Sequence, residues 1–360
     1  MFSFRTSPLI DQLDKALHQG SVGCFCTANC WRTDQHRYMW EIFRERGNLK
    51  ALYTPRETEL TPGTNHIVPD TAGLRELDAI VVEIQDVGVR YFNYAKDVMA
   101  LMETLCTLGD EAPSLYIVDH INPAGRVVEG TMPESSLPGY GVEAHTAKVV
   151  HRHGLTLGEL CNLYCNEIGA KYPIHVISAL ATESNRDLLP WTIAPCSDIP
   201  GLFTCELYSG GGLWNNTNIS PGIGTSRPYE YIGAPFISHD GPQPPAAPGI
   251  MLRPCSFTPA AGRYAGERCN GYHLMLDAGQ PYHSLLHTLD LLRFFKDAYP
   301  QAFRLEEGFK AKLADPYLMD YILGQSGESE LREYVKTSEQ KWIRKAKKFL
   351  LYEDQPFRVK

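Results

Sequence analysis

The residues best equipped for chemistry follow an apolar run, Ala79-Ile80-Val81-Val82, that passes straight into Glu83-Ile84-Gln85-Asp86-Val87-Gly88-Val89-Arg90-Tyr91-Phe92-Asn93-Tyr94. A second polar cluster, Asp119-His120-Ile121-Asn122-Pro123, follows the apolar run ending at Val118. A third is Asn215-Asn216-Thr217-Asn218-Ile219-Ser220-Pro221-Gly222-Ile223-Gly224-Thr225. Paired carboxylates can move protons, and amides and guanidinium groups hold hydroxyls or acids from two sides. With aromatic rings to cover an apolar ring face, such sets suit a sugar. Trp191 and Trp214, both in Gly/Pro-rich segments, are candidate platforms, although core anchoring is the better explanation of either one alone.

Rigid elements must hold these clusters. Val22 to Cys26, Ala51 to Tyr53, Ala79 to Ile84 and Leu115 to Val118 read as short buried strands. Apolar residues at helical spacing lie between them, around Leu9 to Leu17, Tyr38 to Phe43 and Ala95 to Leu105. This alternation predicts an α/β fold with a parallel sheet covered by helices on both faces. In such sheets ligands bind beyond the carboxyl ends of the strands, where all three clusters are expected to lie. Glu83 and Gln85 should point to one face and Ile84 and Asp86 to the other until the strand ends. Asp86 also reads as a turn-forming carboxylate before Gly88, and Glu83 as an ion-pair partner. Thr156-Leu157-Gly158-Glu159 has the pattern of a helix capping box, which accounts for Glu159 without catalysis. From Pro190 to Pro248 the chain is rich in Pro, Gly, Asn and Ser, and Pro242, Pro244, Pro245 and Pro248 are the expected hinge. The division predicted is a sugar-binding domain over 1–238 and a smaller α/β domain over 239–360.

Composition excludes several classes. At 360 residues the chain is long enough for two domains. Its 43% hydrophobic and 21% charged content is that of a globular protein. A formal net charge of −8 argues against nucleic acid or an acidic membrane surface as partner. The one basic run, Lys341 to Lys348, alternates with Trp342, Ile343, Ala346 and Phe349 and reads as a solvated helix face. No apolar stretch is long enough to span a bilayer, and the N-terminus lacks the apolar region of a signal peptide, so a cytoplasmic location is expected. The ten cysteines are scattered. Cys24, Cys26 and Cys30 lack the second pair of ligands that a zinc site requires, so no metal is expected. No strand is followed by a phosphate-cradling Gly-rich turn, which argues against a nucleotide and leaves no cofactor expected.

Five segments carry a resemblance: Ile84 to Arg90, Asp119 to Pro123, His153-Gly154-Leu155-Thr156-Leu157-Gly158-Glu159-Leu160, Thr217-Asn218-Ile219-Ser220, and Ile232-Gly233-Ala234-Pro235. In this order they resemble the exo-β-N-acetylmuramidase family, formerly a family of unknown function. The resemblance implies a Rossmann-like N-terminal domain, a smaller C-terminal one, and a cleft for a terminal N-acetylmuramic acid of peptidoglycan fragments. It assigns catalysis to Glu57, Glu83 and Asp86, and substrate binding to Gln85, Arg90, Tyr94, Asp119, Asn122, His153 and Asn218. Arg90 is the expected partner of the lactyl carboxylate that separates muramic from glucosamine sugars. Glu57, Glu83, Asp86, Asp119, His153 and Asn218 are expected to converge in one cleft.

Two departures bear on activity. Where the family has Pro-Glu-His-Gly, this chain has Pro55-Arg56-Glu57-Thr58, and where the family has Ser-Glu-Gly-Arg-Gly-Thr it has Ser220-Pro221-Gly222-Ile223-Gly224-Thr225. The Glu of the first motif is displaced, its His is missing, and the second loses a carboxylate and a guanidinium. A glycosidase needs a proton donor and a second group to stabilise the oxocarbenium-like charge. Reduced hydrolysis is therefore expected, with a non-catalytic amino-sugar or muropeptide-binding protein as the alternative. The sequence leaves the oligomeric state open.

Overall fold

The computed structural model describes residues 2–6, 15–32, 36–55, 70–133, 149–178, 193–277 and 279–352. Its first unit is a six-stranded parallel sheet of β1 (Phe2–Thr6), β2 (Val22–Cys26), β3 (Leu49–Tyr53), β4 (Ala79–Glu83), β5 (Ser114–Asp119) and β6 (Ile174–Ser178) in the order β1-β6-β5-β4-β2-β3. The inner strands are buried on both faces, as continuous apolar runs require. The α/β expectation is met, and four expected strands appear within a residue or two of their predicted limits. Two strands are additional. β1 pairs with β6 along its whole length at one edge, a contact between residues too distant in sequence for local pattern to signal.

The sheet has two differently covered faces. On one, α4 (Asn93–Leu108) and α5 (Leu157–Ile168) pack with α3 (Thr71–Arg75) against Ile80, Val82, Leu115 and Ile117. On the other, α1 (Lys15–Gln19) and α2 (Met39–Arg46) contribute Leu17, Met39, Trp40 and Phe43 against Cys24, Cys26, Val81 and Val118. The α5 start is the capping box expected. Thr156 Oγ1 accepts from the Glu159 amide at 3.2 Å, and Glu159 Oε2 accepts from the Thr156 amide at 3.0 Å.

The second unit is a three-stranded antiparallel sheet, β7 (Tyr231–Ala234), β8 (Ile250–Phe257) and β9 (Cys269–Leu276), in the order β7-β9-β8. Helices α6 (Leu202–Gly211), α7 (Ser284–Ala298), α8 (Phe309–Leu313), α9 (Pro316–Leu323) and α10 (Glu328–Ala346) complete it. The expected division at 238/239 passes between β7 and β8, which share one sheet through β9. Leu207, Leu213, Trp214, Ile219 and Ile232 pack in the same apolar core as Leu285 and Phe295, so this core draws on residues well before 239. Pro242 to Pro248 runs over this unit rather than between the two.

Two features join the units. Helix α10 places Leu331 and Val335 in the second core and Trp342 and Ala346 in the first, with Trp342 Nε1 donating to the His153 carbonyl at 2.9 Å. Beside it runs a buried chain of charges. Arg152 donates to Glu129 Oε1 at 2.7 Å, while Glu129 Oε2 accepts from Ser209 Oγ at 2.6 Å and the Leu285 amide at 3.1 Å. His283 Nε2 lies 2.8 Å from Glu339 Oε1, which also accepts from the Gly130 amide. Burial pushes the Glu129 pKa up, but His283 and Arg152 outweigh it and hold the carboxyl below its usual range. No helix among the described residues is long and apolar enough to cross a membrane.

Candidate active site

Strand β2 leads to β3 on one side, and the chain then returns to place β4 on the other side of β2. That reversal puts the switch point of the strand order at the carboxyl ends of β2 and β4, where doubly wound sheets bind ligands. Glu83 closes β4 and is paired in register with Cys26 on β2 and Val118 on β5. Because side chains alternate, Glu83 lies on the face of Ala79 and Val81, and His120 continues the face of Tyr116 and Val118. The two therefore meet, with His120 Nε2 3.4 Å from Glu83 Oε1 but not aligned for a hydrogen bond.

The loop after β2 completes this centre. Thr27 Oγ1 donates to Asn29 Oδ1 at 2.5 Å and lies 3.4 Å from Cys30 Sγ, and Asn29 Nδ2 donates to the Gln85 carbonyl at 3.4 Å. Burial opposes charge on His120, but Cys30 and Glu83 beside it raise its pKa to about 10. At neutral pH the end of the sheet thus holds an imidazolium beside the almost fully buried Glu83. Such a pair can offer a positive N–H to an oxygen and a negative charge to a cationic ring.

Asp86 and Asp119 face the opposite side of the sheet from Glu83. Asp86 Oδ1 accepts from the Gly88 amide at 2.8 Å and Oδ2 from the Ala95 amide at 3.1 Å, so it holds the first turn of α4. Burial raises its pKa to about 6 although these amides oppose the rise. Asp119 accepts from Thr156 Oγ1 at 2.6 Å, the Gly158 amide at 2.7 Å and the Tyr352 hydroxyl at 2.8 Å, which fixes the start of α5. Desolvation lifts its pKa to about 6 as well. Gly158 is required there, since a Cβ would meet the Asp119 carboxyl carbon at 2.7 Å.

Gln85, Asp86, His120, Asn122 and His153 line one enclosed cavity of about 10 Å³, room for at most a single water and not a sugar. Gln85 Nε2 donates to the Ile121 carbonyl at 2.8 Å, and Asn122 bridges the Leu155 carbonyl and the Ala124 amide. His153 Nδ1 accepts from the Leu155 amide, and burial lowers its pKa to about 3. Tyr94 donates to the Pro195 carbonyl at 2.9 Å.

Arg90 is occupied otherwise than expected. It donates to the carbonyls of Thr131 at 3.0 Å, Val149 at 3.2 Å and Leu313 at 3.1 Å, and it touches His151 Nε2 at 2.8 Å. Three carbonyls converging on one buried guanidinium make it a tie between the units rather than a free fork for a carboxylate. Asn218 sits in the second unit, where its amide bridges the Ala302 carbonyl and the Arg304 amide. Trp214 is a core residue packed edge-on to Phe295. Glu57 and Trp191 lie outside the described residues. The six residues expected in one cleft are thus divided between the two sheet faces and the second unit, apart from Glu57.

Asn29 and Thr27 had no signal beyond following a strand, and Cys30 stood out only as a candidate zinc ligand. His120 stood inside the second polar cluster, and its alternation with Asp119 is what carries it to the Glu83 face. Among the described residues no group of His, Cys, Asp and Glu side chains is arranged to hold a metal ion.

Comparison with known proteins agrees with this architecture. Residues 63–194 match the N-terminal model, and residues 206–352 the C-terminal model, of the exo-β-N-acetylmuramidase NamZ. The peptidoglycan β-N-acetylmuramidase NamZ of Bacillus subtilis (strain 168) is 29% identical over 296 residues, covering 79% of this chain and 70% of that protein. Crystal structures of two DUF1343 family proteins from Bacteroides fragilis NCTC 9343 share the fold. Their TM-scores are 0.75 and 0.74 at 19% and 21% identity, over 93% and 94% of this chain and 94% and 95% of theirs. With both family models matched in order and the two-unit fold shared throughout, the chain belongs to the exo-β-N-acetylmuramidase NamZ family, whose members act on peptidoglycan.

Proposed function

We propose that this chain removes terminal N-acetylmuramic acid from peptidoglycan fragments, as an exo-acting glycoside hydrolase of low turnover. The observation that carries the reading is the Glu83–His120 pair at the strand-order reversal, in a chain whose family acts on this polymer. In this scheme Glu83 faces the positive charge that builds on the sugar ring, while the His120 imidazolium faces the departing oxygen. Glu57 is the proposed proton donor. Low turnover follows from its displaced motif, because a positioned acid is worth about 10²–10⁴-fold and one residue of chain moves a carboxyl by about 3.3–3.6 Å.

The test is a pair of chromogenic substrates, an N-acetylmuramide and the matching N-acetylglucosaminide. Slow release from the muramide alone is expected, and Glu83→Gln and Glu57→Gln should each bring it to background. Release that survives Glu83→Gln overturns the role of the pair, and preference for the glucosaminide overturns the substrate. The altered Pro55-Arg56-Glu57-Thr58 segment supports a second reading, a non-catalytic muropeptide-binding protein. Saturable muramide binding without release from the wild-type protein would favour it.

A further inference from the structure

Among the described residues, the Lys312 ammonium, at the junction of the two units, has no hydrogen-bonding or ion-pair partner. Lys312 is the penultimate residue of α8, next to Leu313, whose carbonyl receives Arg90. Its ammonium lies 5.6 Å from the centre of the Tyr91 ring, and the Arg90 guanidinium lies 5.7 Å from the same centre. Two positive groups therefore flank one ring. The Arg90 N–H groups are taken up by carbonyls on several sides, whereas among the described residues no carboxylate or carbonyl is hydrogen-bonded to Lys312 Nζ. The acid nearest along the chain, Asp315, is engaged elsewhere. Its Oδ1 accepts from the Tyr317 and Leu318 amides and its Oδ2 from the Tyr334 hydroxyl.

Two further polar atoms in this neighbourhood are also without hydrogen bonds. Tyr91 Oη is buried with no aligned partner, and so is Thr131 Oγ1, on the residue whose carbonyl takes Arg90. Removing an ammonium from water without a counter-charge is costly, and buried hydroxyls are ordinarily satisfied. Burial alone lowers the Lys312 pKa to about 8, in keeping with a charge that lacks a compensating anion. A ligand bringing one carboxylate would supply the counter-charge that Lys312 lacks.

We infer that Lys312, whose ammonium faces the Tyr91 ring, is the receptor for the carboxylate of an acidic sugar, the role that Arg90 is too fully engaged to fill. This rests on the muramic-acid reading above and names the residue that would distinguish that sugar from its uncharged counterpart. A purely structural Lys312, held by its contact with the Tyr91 ring, makes opposite predictions for stability.

The test uses the full chain, with Lys312→Met to remove the charge at similar volume and Lys312→Arg to keep it. Calorimetry compares N-acetylmuramic acid, its lactyl carboxamide and N-acetylglucosamine. For wild type the acid should bind best. Lys312→Met should weaken the acid by about ten- to hundredfold and leave the other two unchanged, with partial recovery in Lys312→Arg. The thermal midpoint of Lys312→Met should hold or rise, because an unpaired half-buried charge has been removed; a fall would identify a structural role and overturn the inference. Wild-type preference for the acid that persists in Lys312→Met also overturns it, while leaving the sugar assignment standing. Equal wild-type affinity for acid and carboxamide refutes carboxylate recognition at this site. Binding of none of the three ligands refutes both the inference and the proposed function.

Discussion

Replacing Glu83 by Gln removes one of the two groups that keep His120 protonated, and the consequence can be worked through from the structure. Burial would lower the His120 pKa below its ordinary 6.5, yet Cys30 and Glu83 raise it to about 10. A histidine whose folded pKa lies above its unfolded value stabilises the fold fully below pH 6.5, and that contribution is lost as pH rises through ten. At about 1.4 kcal/mol per tenfold change in proton affinity the whole effect is on the order of 5 kcal/mol. Glu83 shares it with Cys30, and the His120 side chain is 21% exposed, so the Glu83 share is about 2 kcal/mol or less. Urea midpoints of wild type and Glu83→Gln should therefore differ most at pH 6–7, with the gap closing as pH approaches and passes ten. Tyrosines and thiols remote from Glu83 are common to both proteins and cancel in the difference, whereas Cys24 and Cys26, whose pKa values Glu83 helps to raise, are changed by the substitution. Proton NMR of the His120 ring should show its titration displaced toward neutrality in the variant. A wild-type His120 titrating near 6.5, or a stability gap that is constant with pH, would refute the coupling and with it the charged centre proposed for catalysis.

Three further outcomes concern the frame around that centre. Gly88 has φ +75°, and a Cβ there would lie 2.0 Å from Asn122 Oδ1, so Gly88→Ala should cost about 2 kcal/mol or more by denaturant titration. Trp342 is fully buried in the first core. Trp342→Ala should lose about 3–5 kcal/mol and speed amide exchange along the C-terminal half of α10, and unchanged exchange would refute its role as the anchor between the units. Arg152→Met leaves Glu129 buried without its guanidinium partner and should cost about 3–5 kcal/mol, of which Glu129→Leu in the same chain should restore a part.

Much of this protein follows from short stretches of sequence read alone. β2, β4 and β5 and the start of α5 rest on periodicity, capping and apolar runs within a few residues, so local rules suffice. The Glu83, Asp119 and His120 strand ends were visible for the same reason. Which of these side chains meet was not, because that depends on facing and register: alternation sends Glu83 and His120 to one face of the sheet and Asp119 to the other, where α5 claims it. The edge pairing of β1 with β6 and the membership of β7 in the second sheet arise from contacts between distant residues. The two cations make the point most sharply. In sequence Arg90, within a matched motif, looked free and Lys312 carried no signal, yet a carbonyl 223 positions away helps to occupy Arg90, while the Lys312 ammonium has no hydrogen-bonding partner among the described residues. A side chain's type is written in the sequence, but whether its hydrogen-bonding capacity is already taken is decided by whatever folding brings beside it.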